Sequence, residues 1–221
     1  MTTAGRKTGP KPRFHIDDVV HTALTIGLDD FTLADVARTL QVTTPSLYRV
    51  VATRDQLVHF CLAAMAEDLT LPPSTLSWKE QLRYYAEELW RFAERYPNSI
   101  KTLIQTPGAH VHVQRYFRAI NKSIMAAGFP GTCEDVDFAL DFLGDTVFMT
   151  HLQIAALRNY NENGTTGFER AEQLLSAEAA ASGEPTHMPV DESWHARGYL
   201  DRKINLILKG FDVPPSERPA V

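Results

Sequence analysis

Between residues 43 and 54 the chain sets out side chains suited to a polyanion: Thr43, Thr44, Ser46, Tyr48, Arg49 and Arg54. Short hydroxyls and a phenol reach phosphate oxygens, and arginine binds phosphate or reads a guanine edge. Threonine methyls and the ring of Pro45 suit thymine methyls. The chemistry expected here is contact with the major groove of double-stranded DNA. Tyr48 and Thr32 are expected at phosphates, with Arg54 adding charge beside them. Thr43, Thr44, Pro45, Ser46 and Arg49 are expected at base edges.

Those residues must be held by short helices. In Thr32–Arg54, Val36, Ala37, Leu40, Val42, Leu47 and Val50 recur where two helices joined by a tight turn pack their inner faces. Ala37 is small where the helices cross, Val42 plugs the turn, and Leu47 points inward midway along the second helix. Thr32 is placed to cap the first helix with Asp35 three residues on, and Thr43 or Thr44 to cap the second. Pro45 is tolerated in a first turn, and Thr53 caps the next helix with Gln56 at its third position. Three caps at short intervals predict a compact trihelical unit.

With these residues in view, Thr32–Leu57 resembles the DNA-binding domain of the tetracycline-repressor (TetR) family of bacterial regulators. The carrying residues are Thr32-Leu33-Ala34-Asp35-Val36-Ala37, Val42, Pro45-Ser46-Leu47-Tyr48-Arg49 and Arg54-Asp55-Gln56-Leu57. The resemblance is strongest over residues 14–65. It continues more faintly through Trp78, Tyr96-Pro97, Thr106-Pro107 and Ala127-Gly128-Phe129. It implies a repressor with a small-molecule effector, a homodimer and a palindromic operator. One departure is Gln41, where the family has Gly in the inter-helix turn. A non-Gly residue in a left-handed conformation costs roughly 1 kcal/mol.

Along the chain the pattern is helical throughout, so the expected class is all-α: a three-helix DNA-binding unit followed by a larger helical ligand-binding and dimerisation domain. Residues 1–13 read as a flexible basic arm, in which Lys11 and Arg13 are further candidates for DNA contact. Residues 14–70 form the DNA-binding domain with its connecting helix, 75–210 the second domain, and 211–221 a disordered tail. Leu71-Pro72-Pro73-Ser74 marks the boundary. Helices are predicted at Trp78–Tyr96, 98–105, 109–127, 132–158, 168–181 and 193–209, the last capped by Gly210. The helix 132–158 has too broad an apolar set for one stripe, so two of its faces must be buried. With 193–209 it is assigned to a dimer interface. Two helix-turn-helix units held about 34–36 Å apart read two half-sites on one face of DNA.

The 221 residues suffice for a sizeable core, and 44% hydrophobic with 22% charged residues is ordinary for a soluble protein. The net charge of −5 argues against a wholly basic surface, while Arg6, Lys7, Lys11 and Arg13 stand in an arm free of acids. Cys61 and Cys133 are expected as buried, reduced thiols of a cytoplasmic protein. No apolar run approaches the roughly 18–20 residues of a membrane helix, and no signal core precedes the first helix. No cofactor and no metal site are expected; His110 and His112 are read as surface residues pointing apart. The chain lacks G-x-S-x-G, H-E-x-x-H and a glycine-rich phosphate loop, so no enzyme is expected. Asp141 and Asp145 are read as dimer or surface polarity, and His151 as a partner for Asp145 of a second copy.

Tyr84, Tyr85, Trp90, Tyr96, Phe117, Phe138, Phe142, Thr146 and Met149 are placed to line a cavity among the middle helices. The resemblance adds Leu89 and Leu103, and again Tyr85, by matching positions that contact tetracycline in the name-giving repressor. Its polar contacts are replaced here by aromatic and aliphatic residues, which implies a more apolar effector than tetracycline–magnesium. The competing reading is a helical adaptor that keeps the fold without reading DNA, favoured only by Gln41 and the net charge.

Overall fold

The computed structural model describes residues 14–212. Lys11 and Arg13 lie outside the described residues. All regular structure among the described residues is helical apart from one isolated bridge, Tyr160 to Thr166. The helices are α1 (Ile16–Ile26), α2 (Leu33–Thr39), α3 (Thr44–Leu47), α4 (Arg54–Glu67), α5 (Trp78–Arg95), α6 (Ile100–Gln105), α7 (Gln114–Ala126), α8 (Cys133–Arg158), α9 (Gly167–Ser182) and α10 (Leu200–Gly210). Single 3-10 turns at Ala109–Val113 and Glu192–His195 precede α7 and α10.

Local chemistry starts most of them. Thr32/Asp35, Ser77/Glu80, Thr132/Asp135 and Thr166/Glu169 form reciprocal capping boxes. Thr43 and Thr53 each accept a hydrogen bond from the backbone N–H three residues on. These caps satisfy N–H groups that have no partner within the helix.

The core has two lobes. In the first, α1–α4 pack around Leu28, Phe31, Leu47, Leu57 and Met65, and Phe92 of α5 and Ile100 of α6 join them. In the second, α5 lies along α8, flanked by α7 and α10, around Leu82, Ile120, Ile124, Leu140, Leu143, Ile154 and Ile204. Leu69 and Phe148 touch both lobes.

The loop after α1 is tied to α6. The Leu28 N–H donates to Ser99 Oγ at 3.1 Å and the Asp29 N–H to the Asn98 carbonyl at 2.7 Å. In return the Thr102 N–H donates to Asp29 Oδ1 at 2.7 Å, and its hydroxyl to the Leu28 carbonyl at 3.0 Å. Gly27 makes this approach possible. It sits at φ +97°, and a Cβ there would lie 2.9 Å from Asn98 Cβ.

Several expectations are corrected. Leu47 is the last residue of α3 rather than its middle, and the chain leaves through a turn closed by Val50 and Val51 N–H groups on the Leu47 carbonyl. Val51 is fully buried and Val50 only partly. The final helix begins at Leu200, not at 193. Gly198 at φ +55° breaks the run, with the Trp194 ring packed where its Cβ would be. Gly210 is within α10, and Phe211 beyond it is buried against Phe129. Cys61 is buried, but Cys133 is exposed at the start of α8.

Gln41 occupies the inter-helix turn at φ +55°, the left-handed geometry in which a Cβ is strained. Gln41→Gly is expected to raise stability by about 0.5–1 kcal/mol, read as a higher urea midpoint at unchanged slope. A lowered midpoint would show that the Gln41 side chain contributes more than the strain costs.

Candidate functional site

The α3 surface divides by burial. Leu47 faces inward with no exposure, Thr44 and Ser46 are half-buried, and Thr43, Pro45, Tyr48 and Arg49 face outward. The Thr43 and Ser46 hydroxyls lie 2.8 Å apart, so Thr43 is committed to the cap and Ser46 to Thr43. Tyr48 is 53% exposed. The Thr32 hydroxyl is likewise engaged, donating to Asp35 Oδ2 at 2.6 Å. That bond, with the Thr32 N–H and Arg38, holds the Asp35 carboxyl below its ordinary range. Arg54 donates through Nε to the Phe31 carbonyl at 3.1 Å and through Nη2 to the Leu28 carbonyl at 2.7 Å, with its guanidinium 4.6 Å over the Phe31 ring. Arg54 is therefore first a strut joining α4 to the loop before α2.

Behind this unit lies a cavity of about 990 Å³. Its apolar lining comes from α4 (Leu62, Met65), α5 (Leu89, Phe92), α6 (Leu103, Ile104), α7 (Phe117, Met125) and α8 (Leu140, Phe148). Tyr85, Leu89, Leu103 and Phe117 are among the expected lining residues that the structure brings together there. Phe138, Phe142, Thr146 and Met149 do not line it, and this corrects the sequence reading. Phe138, Phe142 and Met149 stand 55%, 46% and 51% exposed on another face of α8. One residue turns a helix by about 100°, so Asp137, Asp141 and Phe148 meet the cavity while their neighbours face away. Tyr84, Trp90 and Tyr96 are also outside it. Tyr84 meets Thr70, Trp90 packs on His151, and Tyr96 donates to Asp68.

Sequence reasoning missed the α4 contribution, although a helix apolar on more than one side was the signal for it. It also missed the polar lining from Asp137, Asp141 and Asp145, whose four-residue period on an otherwise apolar helix was visible. His110 and His112 both reach the cavity, because a 3-10 turn rather than an α-helix carries them. His112 Nε2 lies 3.0 Å from His59 Nδ1 on α4. Burial, then the neighbouring His59, lowers the His112 pKa. His151 is paired within its own chain, 3.3 Å from Glu94 Oε1. Burial lowers its pKa against the opposing pull of Glu94. Burial pushes the Cys61 thiol up to about 12, leaving it inert. Among the described residues no cluster of three or more His, Cys, Asp or Glu is arranged for a metal ion. No helix there is long and apolar enough to cross a membrane.

The same architecture occurs in solved structures. The Streptomyces coelicolor TetR family protein ActR in complex with actinorhodin superposes with a TM-score of 0.66 at 19% identity, over 90% of this chain and 95% of that one. BioQ of Mycobacterium smegmatis gives 0.60 at 18% identity, over 90% and 98%. TetR from Acinetobacter baumannii AYE gives 0.55 at 18%, over 89% and 94%. This chain has the TetR fold. No family model and no curated protein sequence matches it.

Within the TetR fold of this chain, α4 and α6 each serve both lobes. α4 starts at Arg54, beside the α3 turn, and lines the cavity further along; α6 lines it through Leu103 and Ile104 and holds the Leu28 loop.

The two shifted histidines define a pH window. Each has a folded pKa below the ordinary 6.5, so the unfolded chain takes up protons first as pH falls. Stability is expected to drop from about pH 6.5 downward and to level off once both are protonated in the folded state. The cap carboxylates of Asp35, Glu80 and Glu169 are lowered instead, and their contribution is lost only below the ordinary carboxylate range. Thermal unfolding between pH 7.5 and 5 checks this, and His112→Asn/His151→Gln is expected to flatten the profile. An unchanged slope in that variant would place the titrating groups elsewhere.

Proposed function

We propose that this chain is a sequence-specific, double-stranded DNA-binding transcriptional regulator of the cytoplasm, a repressor released by a small, largely apolar effector. The observation that carries this reading is the arrangement around α4. At its start Arg54 ties it to the loop of residues 28–31 that leads into α2 and α3, and further along Leu62, Met65 and the following Leu69 wall the cavity. An effector that fits the cavity only when α4 and α6 have shifted moves the population toward that conformer. The separation of two recognition helices then no longer matches the operator, and affinity falls. The complexes of ActR with actinorhodin and of BioQ with its double-stranded DNA operator show one fold engaging both kinds of partner in those proteins. Residues 14–70 serve as the DNA-binding domain and 75–210 as the effector and dimerisation domain; no catalysis is assigned to the chain.

The DNA contacts are assigned to Tyr48, Arg49, Thr43, Thr44, Pro45 and Ser46, with Thr32, Arg54, Lys11 and Arg13 at the backbone. The operator is a palindrome read by a homodimer. Its interface is the exposed face of α8, where Phe138 and Phe142 stack with centroids 5.9 Å apart and Met149 continues the stripe, together with Leu206 of α10. Two copies packed there form a four-helix bundle.

Selection of genomic fragments by the purified protein at near-physiological salt is expected to enrich palindromic sites, and Tyr48→Ala to weaken binding about tenfold or more. Affinity should fall steeply as salt rises, as phosphate contacts require. Equal enrichment by wild type and variant would favour a helical adaptor instead. Phe138→Ser/Phe142→Ser is expected to give a folded monomer by light scattering, with unchanged helicity and lost operator binding. A dimer that survives these changes would move the interface elsewhere.

A further inference from the structure

The cavity wall carries a tyrosine hydroxyl with no protein partner among the described residues. Tyr85 is 4% exposed, and its ring lies 6.2 Å from that of Tyr116. Its hydroxyl is aimed at α8, where a Cβ on Gly144 would sit 3.6 Å away, and it makes no hydrogen bond with any described residue. A polar group entering the cavity would find this hydroxyl free to bond.

The charges nearest that hydroxyl are negative. Asp141 and Asp145 line the same wall one turn apart on either side of Gly144; burial first, then Tyr116 and these two carboxylates, raises the Tyr85 pKa. Neither carboxylate has a basic group within 4 Å among the described residues. The third carboxylate, Asp137, is already engaged by the Asn121 amide at 2.7 Å. The cations of the lining, Arg118 and Lys122, stand on α7, exposed as Asp141 and Asp145 are, but on long flexible stems. The aromatic lining comes from Phe92 of α5, Phe117 of α7 and Phe148 of α8 beside the acids.

We propose that the effector of this cavity is a hydrophobic organic cation, a protonated amine carried on an apolar body, whose ammonium group sits between Asp141 and Asp145 and donates to the Tyr85 hydroxyl oxygen. The inference rests on the ligand-responsive reading above. An ammonium satisfies all three oxygens at once, because it only donates and they can all accept. Its apolar body takes the remaining volume, and the aromatic walls favour a cation beside them. A carboxylate in the same place would meet two like charges.

Three probes with one ring system and different charge test this: 1-pyrenemethylamine, 1-pyrenemethanol and 1-pyrenecarboxylate, titrated by fluorescence against the full chain without DNA. The amine is expected to bind roughly tenfold or more tighter than the alcohol, with the carboxylate weakest, as a charge-assisted bond implies. Asp141→Asn/Asp145→Asn is expected to abolish that preference while retaining alcohol binding, and Tyr85→Phe to reduce amine affinity alone. Retained alcohol binding and an unchanged melting temperature separate lost charge from lost fold. Equal or tighter binding of the alcohol or carboxylate, a preference that survives the double variant, or binding of none of the three would overturn the proposal. The same amine is then added to the operator complex. Binding without operator release would sink the regulator reading and leave the ligand class standing; operator release by other compounds alone would do the reverse.

Discussion

The loop between α1 and α2 is fastened to α6 more firmly than a surface loop needs. Leu28 and Asp29 exchange backbone and side-chain hydrogen bonds with Asn98, Ser99 and Thr102, and Ser99 is fully buried beneath them. Arg54 adds a third body to the joint by donating to the same Leu28 carbonyl that Thr102 reaches. Breaking any of these bonds leaves a buried polar group unpaired, which costs more than the bond itself returns. The trihelical unit therefore cannot move independently of α6 and α4, and these are two of the helices that wall the cavity. Coupling between the α3 surface and the cavity is thus a matter of shared rigid parts.

α8 shows how one helix serves three surroundings. Val136, Leu140, Leu143, Val147 and Ile154 are buried in the second lobe. Asp137, Asp141, Gly144 and Phe148 turn toward the cavity. Phe138, Phe142 and Met149 remain exposed, an apolar stripe of the kind that marks an interaction surface. A helix with a single apolar face would need none of its aromatic residues outside. The breadth of this pattern lets one helix join a core, a cavity and an exposed apolar stripe along 26 residues.

Polar groups within the second lobe are placed with similar economy. Glu88, 3% exposed, accepts from the Thr70 N–H and pairs with Arg91, which fixes the chain between α4 and α5. Arg197 forks onto both oxygens of Glu87 at 2.8 and 3.0 Å and lies over Trp90, fastening the segment before α10 to α5.

Features governed by neighbours in the chain were legible in the residues alone. The caps at Thr32, Thr43, Thr53 and Thr132 act over three residues, so their spacing already specifies where helices start. The inward Leu47 and outward Tyr48 and Arg49 follow from helical period, and so does the all-α class. The left-handed Gln41 was legible from the turn it occupies. What could not be read locally was rotation: whether Phe142 or Asp141 meets the cavity depends on a turn of about 100° set by the packing of α5 and α7 on α8. The same holds for the inward bonds of Arg54 to the carbonyls of Leu28 and Phe31, more than twenty residues away. Sequence by itself determined the helices and the polar face of α3, because caps and periodicity are local. Only the tertiary structure decided which faces enclose the cavity, because that depends on contacts between helices far apart in the chain.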